Sequence, residues 1–138
     1  MKLFNVLLCS GLTLLAASAG AFGTVRYVDA NSVTPAAPYT NWAGAARVIQ
    51  NAIDVASAGD EIVVTNGIYN TGGRAVSGTM TNRVAVTKPL LLRSVNGPQY
   101  TIIGGYQVPG LTNGTGAIRC VYLTNNATLS GFTLTNGA

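Results

Sequence analysis

The chain has 138 residues, a length expected of one domain or part of one. Its eight Lys and Arg outnumber its four Asp and Glu, it has no His, and its formal net charge is +4. A nucleic-acid surface would cluster the basic residues or place aromatic residues between them, but the arginines are scattered, so no nucleic-acid partner is expected. The arginines are Arg26, Arg47, Arg74, Arg83, Arg93 and Arg119.

The N-terminus is typical of a secretory signal peptide. Lys2 supplies a positive charge, residues 3–15 form a mostly apolar run, and small residues follow in "AASAGAFG". Two A-x-A cleavage patterns occur, at residues 17–19 and 19–21. The apolar run is too short for a membrane anchor, since a span needs about 20 residues. We therefore predict a signal peptide over residues 1–21 and an exported mature chain, residues 22–138.

Cysteine usage limits the chemistry of the mature chain. Cleavage would remove Cys9 and leave Cys120 as the single cysteine, so no intramolecular disulfide can form. One thiolate without histidine cannot fill the shell of a zinc ion. The mature chain is expected to have no cofactor and no integral membrane span.

The mature chain begins with a predicted strand and a predicted helix. Residues 24–29, "TVRYVD", alternate apolar and polar side chains as a short strand does. After a loop rich in Pro and Asn, a helix of about four turns is predicted from a cap at Thr40 or Asn41 to Gly59. Gly59 is expected to end the helix with a positive φ. The apolar stripe of the helix comprises Ala45, Val48, Ile49, Ala52, Ile53 and Ala56.

Beyond Gly59 the sequence predicts only short strands. The apolar runs are "EIVVT", "RVAVT", "PLLLRS", "YTIIGG", "RCVYLT" and "ATLSGFTLT", each bounded by Gly, Asn or Pro. A sandwich, a barrel or a solenoid could be built from them. The partial repeat between "VAVTKPLLLRSVNG" and "VYLTNNATLSGFTLTNG" favours a stacked solenoid, a parallel β-helix in which the N-terminal helix caps the first coil. Period-2 spacing predicts an inward ladder of Ile62, Val64, Val84, Val86, Leu90, Leu92, Ile102, Val121, Leu123, Phe132 and Leu134.

Three segments resemble one known family. "AARVIQNAIDVASAGDEIVVTNGIYN" resembles the N-terminal entry of right-handed parallel β-helix proteins of the pectin-lyase-like superfamily, and "KPLLLRSVNGPQYTIIGG" resembles the coil that follows. "LSGFTLTNGA" resembles a coil of secreted bacterial members, and some polymorphic outer-membrane proteins carry related repeats. The resemblance implies an all-β, right-handed parallel β-helix. The same resemblance implies a bacterial protein that is secreted or lies on the outer-membrane surface. It also implies that residues 22–138 hold only the cap and first coils, because family members carry many more.

The resemblance implies a type of enzyme whose catalytic groups have no evident counterpart among the carboxylates of this chain. Enzymes of this superfamily break acidic polysaccharides with clustered carboxylates, or with a basic residue and calcium. This chain has four carboxylates: Asp29, Asp54, Asp60 and Glu61. No pair is an evident match to the two carboxyls of glycoside hydrolysis, and calcium needs more oxygen ligands. No catalytic, cofactor-binding or metal-binding residue is predicted, and Asp60 is expected to accept backbone hydrogen bonds in the turn after Gly59.

A few other side chains have two interpretations. The arginines could bind an acidic glycan or be solvated. Tyr39 and Trp42 could stack on a sugar ring or pack beside the helix. Asn113 and Asn126 each begin a glycosylation sequon, which has no meaning in a bacterial host.

Two functions remain open at this point. The first is a non-catalytic secreted or cell-surface segment, a scaffold or adhesin, that contacts an acidic polysaccharide or cell-surface glycan. The second is the N-terminal fragment of a polysaccharide lyase or glycoside hydrolase whose catalytic coils lie beyond residue 138. In either case the open end of the solenoid is expected to favour self-association.

Overall fold

A computed structural model describes residues 23–138 of the chain. The predicted signal peptide lies outside the described residues. These residues form one helix, α1 (Ile49–Val55), and ten strands. The strands are β1 (Val25–Val28), β2 (Glu61–Val64), β3 (Gly67–Tyr69), β4 (Arg74–Ser77), β5 (Met80–Val86), β6 (Leu91–Ser94), β7 (Thr101–Gly104), β8 (Ile118–Leu123), β9 (Thr128–Ser130) and β10 (Thr133–Thr135).

The strands form three small sheets. A four-stranded sheet has the order β1-β2-β6-β9 and a three-stranded sheet the order β10-β7-β3, and every pair in both is parallel. The third sheet has the order β4-β5-β8 and is mixed, because β4 and β5 are antiparallel whereas β5 and β8 are parallel. Parallel neighbours need long connections. In the chain, α1 lies between β1 and β2, and strands of the other two sheets lie between the members of every other parallel pair.

The predicted fold class, an all-β right-handed parallel β-helix with a capping helix, is wrong for the described chain. The strands belong to separate small parallel and mixed sheets, with one short helix, and do not plainly form a β-helix. Residues 74–86 fold back on themselves as an antiparallel hairpin, which the turn at Gly78, with a φ of 55°, makes possible. Short runs bounded by glycine predict strands, but they do not determine which strands pair.

The helix is shorter than predicted. It begins at Ile49 rather than near Asn41, and Val48 at its N-cap makes no side-chain capping hydrogen bond. Asn41 instead accepts a hydrogen bond from Gly44 N at 2.8 Å, and Ala46 bridges to Val28 beside β1, so residues 41–46 are used in a turn and an extended segment. The positive φ at Gly59 is confirmed at 90°, but the helix ends at Val55 and Gly59 lies in the turn before β2.

The core lies between α1 and the sheets. The predicted inward positions Ile62, Val64, Val84, Val86, Leu90 and Leu92 are buried, as are most of the helix stripe positions. In β7 the alternation is shifted by one residue, so Ile103 is fully buried and Ile102 only partly so. Val121 and Phe132 pack against the core half-buried. The prediction is wrong for Leu123 and Leu134, which are 42% and 48% exposed because their strands lie at sheet ends.

No helix within residues 23–138 is both long enough and apolar enough to cross a membrane.

Candidate functional site

Asp60, between α1 and β2, is the most extensively bonded carboxylate of the described chain. Its Oδ1 accepts a hydrogen bond from Thr24 N and its Oδ2 one from Ser57 N, each at 2.8 Å. Arg26 Nη2 lies 2.9 Å from Oδ2, and Arg26 Nε donates to the same oxygen at 3.2 Å. The predicted acceptance of backbone hydrogen bonds by Asp60 is confirmed, and the carboxylate also joins the start of β1 to the turn before β2.

Several opposing effects act on the Asp60 carboxyl. Burial raises its pKa, but the hydrogen bonds from Ser57 and Thr24 and the Arg26 guanidinium outweigh burial and hold the pKa below its ordinary value. A general acid needs the opposite, a pKa raised toward neutral pH. Asp60 is therefore a structural anion.

The other three carboxylates also hold structural contacts. Asp54 on α1 accepts a hydrogen bond from Gln50 Nε2 at 2.8 Å and pairs with Arg74. Glu61 on β2 pairs with Arg93 on the neighbouring β6. Asp29 Oδ1 accepts a hydrogen bond from Asn31 N at 2.8 Å, which closes a local turn. Asp54, Asp60 and Glu61 thus belong to three different ion pairs, and no group of three or more acidic, Cys or His side chains in the described part of the chain could hold a metal ion.

Five of the seven basic side chains in residues 23–138 are likewise engaged. Three arginines form the ion pairs above. Lys88 Nζ donates to the carbonyls of Ile53, Asp54 and Ala56 at the end of α1, at 3.0, 3.1 and 2.6 Å. Arg83 is buried and donates to Gly104 O at 2.7 Å and to Gly72 O, and burial lowers its pKa.

Arg47 and Arg119 are the two exposed arginines without a hydrogen bond or ion pair to any described residue. Arg119 lines a cleft of about 590 Å³ between the β4–β5 turn and the loop before β8. Arg47 lines a smaller cavity of about 350 Å³ together with Val48, Ile68 and Tyr69. Four of the six arginines therefore hold structural contacts. The other two, Arg119 and Arg47, are unpaired within the described residues, and one lines the cleft and the other the smaller cavity.

Tyr69, at the end of β3, is committed to the fold although it lines the smaller cavity. Its hydroxyl donates to Thr65 O at 3.0 Å and accepts from Ala30 N at 3.3 Å. Burial raises its pKa to about 12, so the phenol is neutral at physiological pH.

The aromatic residues before α1 pack on the protein. The rings of Trp42 and Tyr27 lie with centroids 4.5 Å apart and planes inclined by 52°, and Tyr39 packs partly buried against the core. For Tyr39 this arrangement favours packing over sugar stacking, whereas the Trp42 ring contacts Tyr27 but is 45% exposed. Cys120 is a half-buried free thiol whose Sγ donates to Thr135 O at 3.2 Å.

Strands β8, β9 and β10, consecutive in the chain, each lie at an end of one sheet. We call them together the outer-strand edge. Partly buried apolar side chains beside this edge, Val121, Leu129 and Phe132, pack against the core. The edge strands carry one charged side chain, Arg119, and neither lysine nor proline.

Sequence reasoning did not find the Arg119 cleft or the Lys88 contact with the helix. Thr81 and Arg119 come close because β5 pairs in parallel with β8, in a register that sets Thr81 against Ile118 and Asn82 against Arg119. No local spacing signals such a contact. The two glycosylation sequons are both exposed, and Asn113 lies on the wall of the cleft.

Comparisons of the chain with protein-family models, with curated proteins and with solved structures found no match. The resemblance to the pectin-lyase-like superfamily therefore stays a prediction from the sequence.

Proposed function

We propose that this chain is a non-catalytic secreted or cell-surface protein, a scaffold or adhesin, that contacts an acidic glycan. The observation that carries the proposal is that each of the four carboxylates already holds a structural contact. The signal-like N-terminus supports export.

The engagement of the carboxylates argues against hydrolysis. Glycoside hydrolysis needs two carboxyls about 5–9.5 Å apart across the scissile bond, one of them able to donate a proton. Asp60 is buried with a lowered pKa, and Asp54 and Glu61 are each neutralised by an arginine. The alternative, a fragment of a polysaccharide lyase or glycoside hydrolase, would need catalytic groups other than these four.

An arginine side chain that forms no ion pair in the described part of the chain supports contact with an acidic glycan. Arg119 is exposed and unpaired within residues 23–138, and it lines a concave surface of about 590 Å³. Guanidinium groups bind carboxylates and sulfates with strong, directional hydrogen bonds.

The activity test uses purified residues 22–138, incubated with polygalacturonate and alginate with and without calcium. Ultraviolet absorbance reports unsaturated products and a reducing-sugar assay reports hydrolysis. We expect no turnover, and we expect retardation of the protein in gels that contain the acidic glycan. Turnover that disappears in Asp54→Asn or Asp29→Asn would overturn the non-catalytic role, and unaltered migration in every gel would overturn the glycan contact.

Self-association is the second partner that we propose. A strand at the end of a sheet offers unpaired N–H and C=O groups, and proteins usually protect such edges with Lys, Pro or inward charges. The outer-strand edge has none of these devices, and apolar side chains lie beside it. Sedimentation velocity of residues 22–138 should show association that Leu134→Lys reduces, since Leu134 is already half exposed on β10. A monomer at all concentrations would refute association.

A further inference from the structure

The cleft beside Arg119 gathers polar side chains that the fold does not use. Five of them line it: Thr79 and Thr81 from the β4–β5 hairpin, Asn113 and Thr115 from the loop before β8, and Arg119 from β8. None of these side chains forms a hydrogen bond with another residue of the described chain. They are free to bind a ligand without breaking a contact that stabilises the protein.

One cationic side chain, Arg119, lies on the wall of the cleft, and the side-chain carboxylates of the chain, Asp29, Asp54, Asp60 and Glu61, do not. Ala138, the last residue of the sequence, also lines the cleft. The backbone N–H groups of Gly114, Thr115 and Gly116 donate to no acceptor within residues 23–138. Free backbone N–H groups in a turn and a nearby guanidinium together favour an oxyanion.

Hydrogen bonds of Asn82 hold one side of the cleft, the β4–β5 turn, in position. Asn82, next to Arg119 in the register of β5 and β8, is buried, and its Nδ2 donates to Arg74 O and Met80 O at 3.4 Å. These bonds hold the hairpin turn in place beside β8. The cleft volume of about 590 Å³ falls within the range of sites that enclose a small ligand.

We propose that this cleft binds the acidic group of a saccharide, a carboxylate or sulfate, with Arg119 as the principal donor. This inference rests on the proposed glycan contact and names the site at which it occurs. The guanidinium and the loop N–H groups bind the oxyanion. The three threonine hydroxyls and the Asn113 amide then bind the hydroxyls of the sugar ring.

The experiment measures Kd by isothermal titration calorimetry with the full chain produced by a secreting bacterial host. The probes are a carboxylated, a sulfated and a neutral oligosaccharide of equal length, and inorganic sulfate. The test variant is Arg119→Gln. Its matched control is Arg47→Gln, which removes the same charge from an exposed, unpaired position outside the cleft. Both variants should keep the melting temperature of the unaltered chain, because neither arginine side chain forms a hydrogen bond or an ion pair within residues 23–138.

We expect one or both acidic oligosaccharides to bind and the neutral one not to. The Kd for the acidic probe should rise about tenfold or more in Arg119→Gln and less than about twofold in Arg47→Gln, as expected for loss of a charge-assisted hydrogen bond. Whether the carboxylated or the sulfated oligosaccharide binds more tightly identifies the acidic group that the cleft recognises.

Three results would overturn the inference, and they differ in what they imply for the proposed function. If the acidic oligosaccharides bind Arg119→Gln as tightly as they bind the unaltered chain, the cleft is not the binding site, but the proposed glycan contact is retained. Inorganic sulfate binding as tightly as the saccharides would reduce the cleft to a site for a free anion. Failure of every acidic saccharide to bind would remove both the site and the glycan contact.

Discussion

Arg26 and Asp60 form a buried ion pair that joins the beginning of the four-stranded sheet to the turn between α1 and β2. The Nη2 to Oδ2 distance is 2.9 Å, and the two side chains are only 9% and 5% exposed. Arg26 Nη1 also donates to Pro38 O at 2.8 Å, so one guanidinium links β1, the loop before α1 and the β2 turn. Asp60 in turn accepts from two backbone N–H groups. A buried pair with its remaining hydrogen bonds filled is costly to break from one side.

The first prediction is that Asp60→Asn strongly destabilises the protein. The substitution keeps the shape of the side chain but leaves the buried Arg26 guanidinium without an opposite charge. Removal of one member of a buried ion pair typically costs about 3–5 kcal/mol. We expect urea denaturation to show a decrease of about that size in the free energy of unfolding of Asp60→Asn.

The control for Asp60→Asn is Arg74→Gln, which breaks the pair with Asp54 at the protein surface. Its side chains are 49% and 35% exposed, so the free energy of unfolding should change by about 1 kcal/mol or less. Equal losses in the two variants would show that burial of the Arg26–Asp60 pair does not set its importance.

The second prediction concerns acid. The pKa of Asp60 is lowered in the folded protein, so the carboxylate contributes stability that is fully present above its unfolded pKa of about 3.9. That contribution is lost as the pH falls through the folded pKa, because folding then requires removal of a proton that the unfolded chain binds. The free energy of unfolding of the unaltered chain should fall from about pH 4 downward, and Asp60→Asn should fall less steeply. Parallel curves for the two proteins would contradict this role.

The sequence predicted local elements better than their pairing. Each apolar run after Gly59 contains at least one strand, since alternation and β-branched residues are local signals. The pairing of β4 with β5 depends on the turn at Gly78, and the extended conformation of Ala46 depends on a bridge to Val28. Both are contacts that a repeat or a helical spacing does not encode. The alternation of apolar residues in β7 shows that every second side chain faces the core, but it does not show which set does so. The sequence therefore predicted Ile102 as the buried residue, whereas Ile103 is buried.

The candidate site was less predictable than the fold. The sequence shows seven basic residues after the signal-like segment, but only the structure separates the five engaged ones from Arg47 and Arg119. The ion pairs are contacts between residues far apart in the chain, such as Arg93 with Glu61 across β6 and β2. The expectation that Asp60 binds backbone N–H groups could be made locally, since it depends on the turn that follows Gly59.

The third prediction is that Lys88 stabilises the end of α1. The last carbonyls of a helix lack some of their hydrogen-bond partners, and Lys88 Nζ donates to the carbonyls of Ile53 and Asp54 in α1 and of Ala56 just after it. Lys88→Met keeps most of the side-chain length and removes the donor, so the free energy of unfolding should fall by about 1–2 kcal/mol. Arg47→Met is the control and should change it by about 0.5 kcal/mol or less, because Arg47 is exposed and unpaired. A loss no larger than that of the control would mean that water replaces Lys88 at these carbonyls.

The fourth prediction compares two apolar side chains of α1. Ile53 is fully buried between the helix and the sheets, whereas Val55 is 41% exposed. Ile53→Ala leaves a cavity and should lower the free energy of unfolding by about 2–5 kcal/mol. Val55→Ala should change it by about 0.5 kcal/mol, since a surface position can rearrange. Similar melting temperatures for the two variants would show that α1 is not part of the core.

The last prediction concerns Tyr69 in alkali. Its pKa is raised by burial to about 12, against an ordinary value of 10.0, so the folded state disfavours ionisation of the phenol. A raised folded pKa gives stability that is complete below the unfolded value and is lost as the pH rises from about 10 to about 12. The shift corresponds to a loss on the order of 2–3 kcal/mol over that interval. Tyr69→Phe cannot ionise and also lacks the hydrogen bonds to Thr65 O and from Ala30 N, so it should be less stable by about 1–2 kcal/mol at pH 7. Urea denaturation of both proteins at pH 7, 10 and 12 should show the advantage of the unaltered chain constant up to pH 10 and shrinking beyond it. An advantage that stays constant to pH 12 would contradict the burial of a neutral phenol at this position.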